Sequence, residues 1–532
     1  MAGPAHLTTD RDPDDTDSAA ALFGVGLALV AGGIVRFLPY FGTDFPLNDG
    51  GLFGIMIQDL VDNGFRLPNS TTYNGLDIPF AYPPLAFYVA GLGHLLGVSI
   101  IDSLRGVPLL FSLATILAVY WLAGGVLHSR SGGMLAALAF ALLPRSYLVL
   151  ITGGGLTRGL GFLLAIIALG LAWRLMQNRE PRWWAVGVLG LDGGLTALAH
   201  PQAAVFLATS VIVFLPWAVD RRVAVTRLAL SALIGLGVVA AWLIPVIGVH
   251  GIDPLISAAQ SGERGLEGLL LLLSLRFGEL LVFDVITIGA LIGAVLAFRR
   301  REFMLPVWLV AIWLVDSRAG STFAMVPLAL LTACALLALT RSWLPRAGTR
   351  PFDHIRKHPV WTAVMVAVLG GLVVANHYSG VRPSSPLHGL NTEQQSALVW
   401  AGENTPDEAV FAVVTNGTVW ENDAVSEWFP ALTDRRSAAT VQGSEWLGPE
   451  EWQRQQEAYV GLQACARDVL PCVLAWSGTY DLPITHIFLP KGQLHGPSSE
   501  ADCCPAPRHS VELVPGARVI YDGPGATVIQ LP

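Results

Sequence analysis

Apolar runs alternate along this chain with loops in which arginine returns only at every second turn. The basic clusters are Arg174/Arg179/Arg182, Arg221/Arg222/Arg227, Arg299/Arg300/Arg301 and Arg341/Arg346/Arg350/Arg356/Lys357, and the loops between them carry mostly single basic residues. Positive residues stay on the cytoplasmic side during membrane insertion, so this alternation sets both the number of crossings and their direction. The chain is 53% hydrophobic and 14% charged, well below the ~25% charged residues of a soluble globular domain. It reads as a polytopic α-helical membrane protein. The net charge of −8 says little about partners, and the basic residues sit at span ends where topology accounts for them. Nothing in the pattern points to nucleic acid.

Eleven transmembrane helices are expected, near 19–40, 103–127, 131–151, 157–174, 183–199, 202–219, 226–247, 277–298, 303–316, 322–340 and 359–376. Most reach the ~20 residues a bilayer needs, and 303–316 is short enough to require tilt or thinning. Residues 1–18, with five Asp, read as a disordered acidic cytoplasmic tail. The first run, Ala19 to Tyr40, lacks a basic leader and is taken as a retained span. The stretch Trp183–Val219 is too long for one crossing and is expected to break at His200-Pro201.

Tyr82–Ile101 is also apolar and long. If it crossed, every later arginine cluster would change sides, so parity predicts an interfacial helix started by Pro83-Pro84. The first external loop then runs over 41–102, and a loop of that length is usually functional. Residues 377–532 change composition and read as a soluble extracytoplasmic α/β domain. Strand-like runs occur at Val410–Thr415, Val473–Trp476, His486–Leu489 and Ala526–Leu531, and helical stretches near Thr392–Glu403 and Pro449–Ala466. Four of the five cysteines, Cys465, Cys472, Cys503 and Cys504, fall in this domain. Disulfides are expected there, with three pairings open, and a metal site is the weaker reading.

The residues that could carry chemistry gather in the outward loops. Asp49 stands in Asn48-Asp49-Gly50-Gly51 directly after the first span, either as part of a plain turn or as a carboxylate able to act as general base. Arg145 and Arg158 flank the turn Thr152-Gly153-Gly154-Gly155, which suits a phosphate through N–H donors and a guanidinium but also suits a simple flexible turn. His200 and Arg318 sit at outward helix ends, and Asp192 lies inside an apolar span, where a charge costs at least ~2.5–3.5 kcal/mol. Glu427-Trp428 and Glu445-Trp446 pair carboxylates with tryptophans, as a sugar platform or as core tryptophans beside surface acids.

This layout resembles the GT-C glycosyltransferases, which include protein O-mannosyltransferases, oligosaccharyltransferase catalytic subunits and aminoarabinose transferases. The resembling residues are Asn48-Asp49-Gly50, Tyr82-Pro83-Pro84-Leu85, the Arg130-Ser131-Gly132 turn and the Pro144-to-Arg158 loop, within a layout covering about 19–376. The resemblance implies a donor sugar on a polyprenyl phosphate, with Asp49 as base in an inverting transfer. Its donor phosphate and lipid would be bound by Arg158, His200, Arg318 and Tyr82. It also implies a multi-pass cell-membrane protein with a cytoplasmic N-terminus and an extracytoplasmic glycan, lipid or protein acceptor. No cofactor is certain: a divalent metal is left without a motif, since Thr152–Arg158 carries no carboxylate, and no WWD-like acceptor motif occurs. The competing readings are a transporter or flippase of a lipid-linked saccharide and a non-catalytic membrane scaffold.

Overall fold

The computed structural model describes residues 18–40, 45, 50–180, 182–260, 285–343, 389–467, 469–492, 504 and 515–532. Almost all of the acidic tail, Asp49, the expected span 359–376 and Cys503 lie outside the described residues.

The body is built from helices α1 (Ser18–Phe37), α2 (Gly51–Asp62), α3 (Leu85–Leu95), α4 (Ile100–Val126), α5 (Arg130–Ala141), α6 (Gly155–Gln177), α7 (Trp183–Ala199), α8 (Pro201–Phe214) and α9 (Arg221–His250). Further helices span Asp253–Gln260, Val285–Arg300, Met304–Val315, Ser317–Phe323 and Met325–Trp343. Among the described residues five helical segments are long and apolar enough to cross a bilayer, and α5 with its bent continuation brings the number to as many as six. Trp183–Ala199, Pro201–Trp217 and Met304–Val315 are apolar but shorter.

The break expected at His200-Pro201 is present. Pro201 opens α8 at its first position, where a missing N–H costs nothing because that group has no helical partner. The span expected at 131–151 is sharply bent. α5 stops at Ala141, and two 3-10 turns, Pro144–Ser146 and Leu148–Leu150, carry the chain off at 94°. The cause is partly local, since Pro144 cannot donate into a continuing helix. It is also tertiary. Arg36, fully buried near the end of α1, donates to the Ala141 carbonyl at 2.8 Å, to Ser146 Oγ at 3.2 Å and to Ser112 Oγ at 2.8 Å. Its guanidinium also lies 4.6 Å from the Tyr147 ring centroid. A cation thus satisfies the open carbonyl end of α5 and pins the bend.

The helix within residues 82–101 is short. α3 has 11 residues, about 16 Å at ~1.5 Å per residue, against a hydrocarbon core of ~30 Å. It packs against α2, α4, α6 and α7. The chain then turns at Gly97 (φ 90°), and Ser99 caps α4 by accepting from the Asp102 N–H at 3.0 Å.

The C-terminal residues fold around a five-stranded sheet of order β4-β3-β5-β7-β6. Its strands are β3 (Val410–Val413), β4 (Arg436–Ser437), β5 (His486–Pro490), β6 (Arg518–Asp522) and β7 (Ala526–Gln530); the hairpin β1 (Ser70–Thr71) and β2 (Ile78–Pro79) belongs to the first loop. β3 runs parallel to β4 and β5, and β7 is antiparallel to β5 and β6. Side chains alternate between faces along a strand, and both faces are buried here. Phe411, Val413, Phe488 and Val528 join Phe429 and Trp428 on the face toward the helical body, while Ala412, Val414, Ile487 and Ile529 pack on Tyr459, Leu462 and Val473. The expected strand at Val473–Trp476 is instead part of the helix Val469–Tyr480. Its apolar run reads equally well as a buried helix segment. Cys465 and Cys472 form a disulfide.

The helical body has two unlike ends. Leu104, Leu156, Leu160, Ala199 and Val246 share a core with the sheet domain. At the other ends of these helices, Arg174 lies over the Trp121 ring and Arg227 donates to the carbonyls of Leu175, Asn178 and Arg179. Arg300 lines a small cavity there with Leu127 at the end of α4. The described arginine clusters therefore share the end away from the sheet domain.

Candidate functional site

The first loop returns to the body through two glycines. Gly50 takes φ 143°, a backbone region closed to ordinary side chains. A Cβ there would also lie 3.0 Å from the Trp428 ring and 3.1 Å from Gly153 Cα. Position 50, next in the chain to Asp49, is thus wedged between the sheet domain and the glycine-rich turn before α6. The N–H groups of Gly50 and Gly51 both donate to Glu427 Oε1, at 2.7 and 3.1 Å. Gln442 donates to Glu427 Oε2 at 3.3 Å, and the Tyr73 hydroxyl donates to the Glu427 carbonyl at 2.6 Å. Burial holds the Tyr73 hydroxyl far above its usual range, so it remains a donor. Trp428 meets Phe45 edge to face at 4.5 Å between centroids.

The rest of the loop is fastened to the same domain. Asn74 exchanges a pair of hydrogen bonds with the Ser437 backbone, at 3.0 and 2.7 Å. Within the loop, Asp59 accepts from both the backbone N–H and the hydroxyl of Thr72.

Tyr82 and His200, expected together with the donor phosphate, are neighbours. Their ring centroids are 6.5 Å apart, and the Tyr82 hydroxyl hydrogen-bonds Thr157 Oγ1 at 3.2 Å. Thr157 precedes Arg158 in the first turns of α6, which places that arginine at the same end of the helix. His200, 8% exposed, fits close to α6 because position 161 is glycine: a Cβ there would lie 2.8 Å from His200 Cβ. Trp446 of the sheet domain closes on Tyr82 at 5.6 Å. Position 318 lies on a separate short helix. That helix, Ser317–Phe323, packs on the Pro144–Ser146 turn and is capped by Asp316 Oδ1, which accepts from the Ala319 N–H at 3.1 Å. Gly50 lies against Gly153, and Tyr82 meets both Thr157 and His200, while the helix Ser317–Phe323 adjoins the other limb of the Pro144-to-Arg158 loop.

Burial decides between the readings left open for the tryptophans. Glu427, Trp428 and Trp446 are 3%, 2% and 8% exposed, so the first two are an interdomain anchor and the third a core residue, not an open sugar platform. Asp192 is buried within α7, and its Oδ2 has no hydrogen-bond partner; it takes no part in the cluster described. Sequence reasoning passed over Arg36 and the anchoring role of Glu427. A lone arginine in an otherwise uncharged span signals the first, whereas no local pattern signals the second. Among the described residues no three His, Cys, Asp or Glu side chains gather as a metal site.

No protein-family model and no curated protein matches the sequence. Solved structures do match the fold. The archaeal oligosaccharyltransferase AglB from Archaeoglobus fulgidus, in complex with an inhibitory peptide and a dolichol-phosphate, superposes with a TM-score of 0.56 at 16% identity, covering 88% of this chain and 69% of that one. ArnT from Cupriavidus metallidurans, bound to undecaprenyl phosphate, gives a TM-score of 0.52 at 14% identity over 96% of this chain and 98% of that one. The arabinofuranosyltransferase AftD from Mycobacteria gives 0.52 at 16% identity over 95% of this chain and 39% of its own longer chain. These are GT-C glycosyltransferases, and the chain has their fold.

Proposed function

We propose that this protein is a membrane glycosyltransferase that moves a sugar from a polyprenyl phosphate to an acceptor on the side of the sheet domain. The observation that carries the reading is the convergence at one end of the body. There the residue after Asp49 is wedged against the glycine-rich turn, and Tyr82, His200 and the start of α6 meet beside it. That end lies opposite the arginine clusters, so the positive-inside rule makes it extracytoplasmic. ArnT and AglB, which share the fold, were solved with undecaprenyl phosphate and a dolichol-phosphate.

In the reaction an acceptor hydroxyl attacks the anomeric carbon from the face opposite the phosphate. The new C–O bond forms as the bond to the phosphate oxygen breaks, which inverts the centre. Asp49 takes the hydroxyl proton. The bonding electrons leave with the lipid phosphate, whose growing charge Arg158, His200 and Arg318 would offset, with Tyr82 as a hydroxyl donor at the same end.

The test is transfer by the purified protein from radiolabelled polyprenyl-phosphate arabinofuranose, aminoarabinose and mannose to cell-envelope glycan, lipid and peptide acceptors. Transfer of at least one sugar with an inverted anomeric centre is expected. No transfer and no binding of any member of the panel would leave the scaffold reading in its place; movement of the intact lipid-linked sugar across a vesicle would favour the transporter.

A further inference from the structure

We propose that Glu427 is a positioning residue by which the sheet domain sets the reacting end of the first loop. The inference rests on the transfer reading above. Glu427 is 3% exposed, and a carboxylate removed from water is tolerated only where donors surround it. Those donors come from three directions: the amides of Gly50 and Gly51 on Oε1 and the Gln442 side chain on Oε2. Gly51 opens α2, whose first N–H groups have no partner within the helix. An adjacent Ser, Thr, Asp or Asn usually supplies the acceptor. Here the preceding residue is Gly50, which makes no side-chain cap and cannot carry a side chain beside Trp428 and Gly153. The acceptor is instead delivered from a helix of another domain, Ala424–Thr433, and its negative charge faces the positive end of α2.

The Glu427 backbone is fixed in turn. The Tyr73 hydroxyl donates to its carbonyl, Asp423 caps its helix by accepting from the Ser426 N–H at 3.0 Å, and Trp428 closes on Gly50 and Phe45. The amide that follows position 49 therefore moves with the sheet domain and not with α1, to which the loop is joined in sequence. Glu427 touches no reacting atom in this scheme; it acts through the Gly50 amide. The Gly50 and Gly51 amides are held this way only while the sheet domain is docked.

The test compares full-length wild type with Glu427→Asp, Glu427→Gln and Glu427→Ala in lipid nanodiscs. Three quantities are read: amide exchange at Gly50 and Gly51, the stoichiometry of undecaprenyl phosphate binding, and kcat per binding-competent site with whichever sugar of the panel is transferred. Asp withdraws the carboxylate by one methylene, while Gln keeps an acceptor oxygen in reach. Faster exchange is expected for Asp and Ala, with kcat about 100-fold lower, the usual consequence of misplacing a reacting group by about an ångström. Stoichiometry and donor KM should stay within about twofold, and Gln should recover most of the rate. Glu427→Asp is the deciding variant should Glu427→Ala fail to fold. A wild-type kcat or wild-type exchange in Glu427→Asp overturns the proposal. Should wild type transfer no sugar at all, the transfer reading fails by itself, and the exchange data still show whether Glu427 holds the Gly50 and Gly51 amides.

Discussion

The two ends of the helical body meet the same problem, unsatisfied helix termini, with different chemistry. At the basic end the solution comes from arginines of the helical body itself: Arg174 of α6 donates to the carbonyl of Gly170 in its own helix and to that of Trp121 in α4, and Arg227 of α9 takes the carbonyls of Leu175, Asn178 and Arg179. At the sheet-domain end α2 opens on two glycines, and its acceptor, Glu427, arrives from another domain. The first arrangement completes itself as the helices pack. The second is completed only where the sheet domain meets the first loop. That difference suits one end to anchoring and the other to binding and chemistry.

The largest expected break in this comparison comes from Asp49→Asn. Loss of a general base should lower kcat by about 10²–10⁴-fold, with donor affinity unchanged in an undecaprenyl phosphate binding assay. Equal transfer by both proteins would remove Asp49 from the mechanism.

A second pair of variants contrasts the ends directly. Arg36→Met leaves the Ala141 carbonyl and the hydroxyls of Ser112 and Ser146 without their shared donor, a cost of roughly 2–4 kcal/mol for buried polar groups. It should also lower transfer per folded molecule, because the bend it pins leads into the glycine-rich turn. Arg227→Met removes donors from three carbonyls as well, yet should lower thermal stability while leaving transfer per folded molecule intact. Equal effects of the two on transfer would erase the distinction between the ends.

Within the sheet domain, replacing Cys465 and Cys472 by alanine opens a loop with a sequence separation of 7. Chain-entropy arguments put the cost near about 2.5 kcal/mol, visible as a lower melting temperature without a change in the first loop's amide exchange. A smaller effect is expected from pH. Burial raises the Asp423 carboxyl above its ordinary range, outweighing the hydrogen bonds from Thr415, Ser426 and Tyr459 that pull it down. The folded domain then binds this proton more tightly than the unfolded chain. Its contribution is complete below the ordinary carboxylate pKa and is lost as pH rises through the raised value. Asp423→Asn should flatten that decline in a melting series across mildly acidic to neutral pH, and an unchanged slope would show that Asp423 is not its source.

Much of this was legible from residues alone, and for identifiable reasons. Arginine placement and proline position are local signals, so the break at His200-Pro201 follows from reading them along the chain. So does the gathering of the basic clusters at one end. The bend after Ala141 was not legible, because it needs Arg36 and Tyr147 to meet across two helices. The helix at Val469–Tyr480 was misread because a short buried apolar run has no period that separates strand from helix. The Glu427 anchor was invisible for the same reason as the bend: its donors lie in a loop that sequence order places in another domain. His200 was singled out on topology and Tyr82 on the Tyr-Pro-Pro-Leu resemblance, and the contact of Tyr82 with both His200 and Thr157 brings the two choices together.

The account stands or falls on which end of the body holds the lipid phosphate. Photolabelling of the nanodisc-embedded protein with a diazirine-bearing polyprenyl phosphate, followed by peptide mapping, reads this directly. Labels on the peptides containing Tyr82, Arg158 and His200, displaced by undecaprenyl phosphate, are the predicted result. Displaceable labels confined to the arginine-rich end, around Arg174, Arg227 and Arg300, would contradict it.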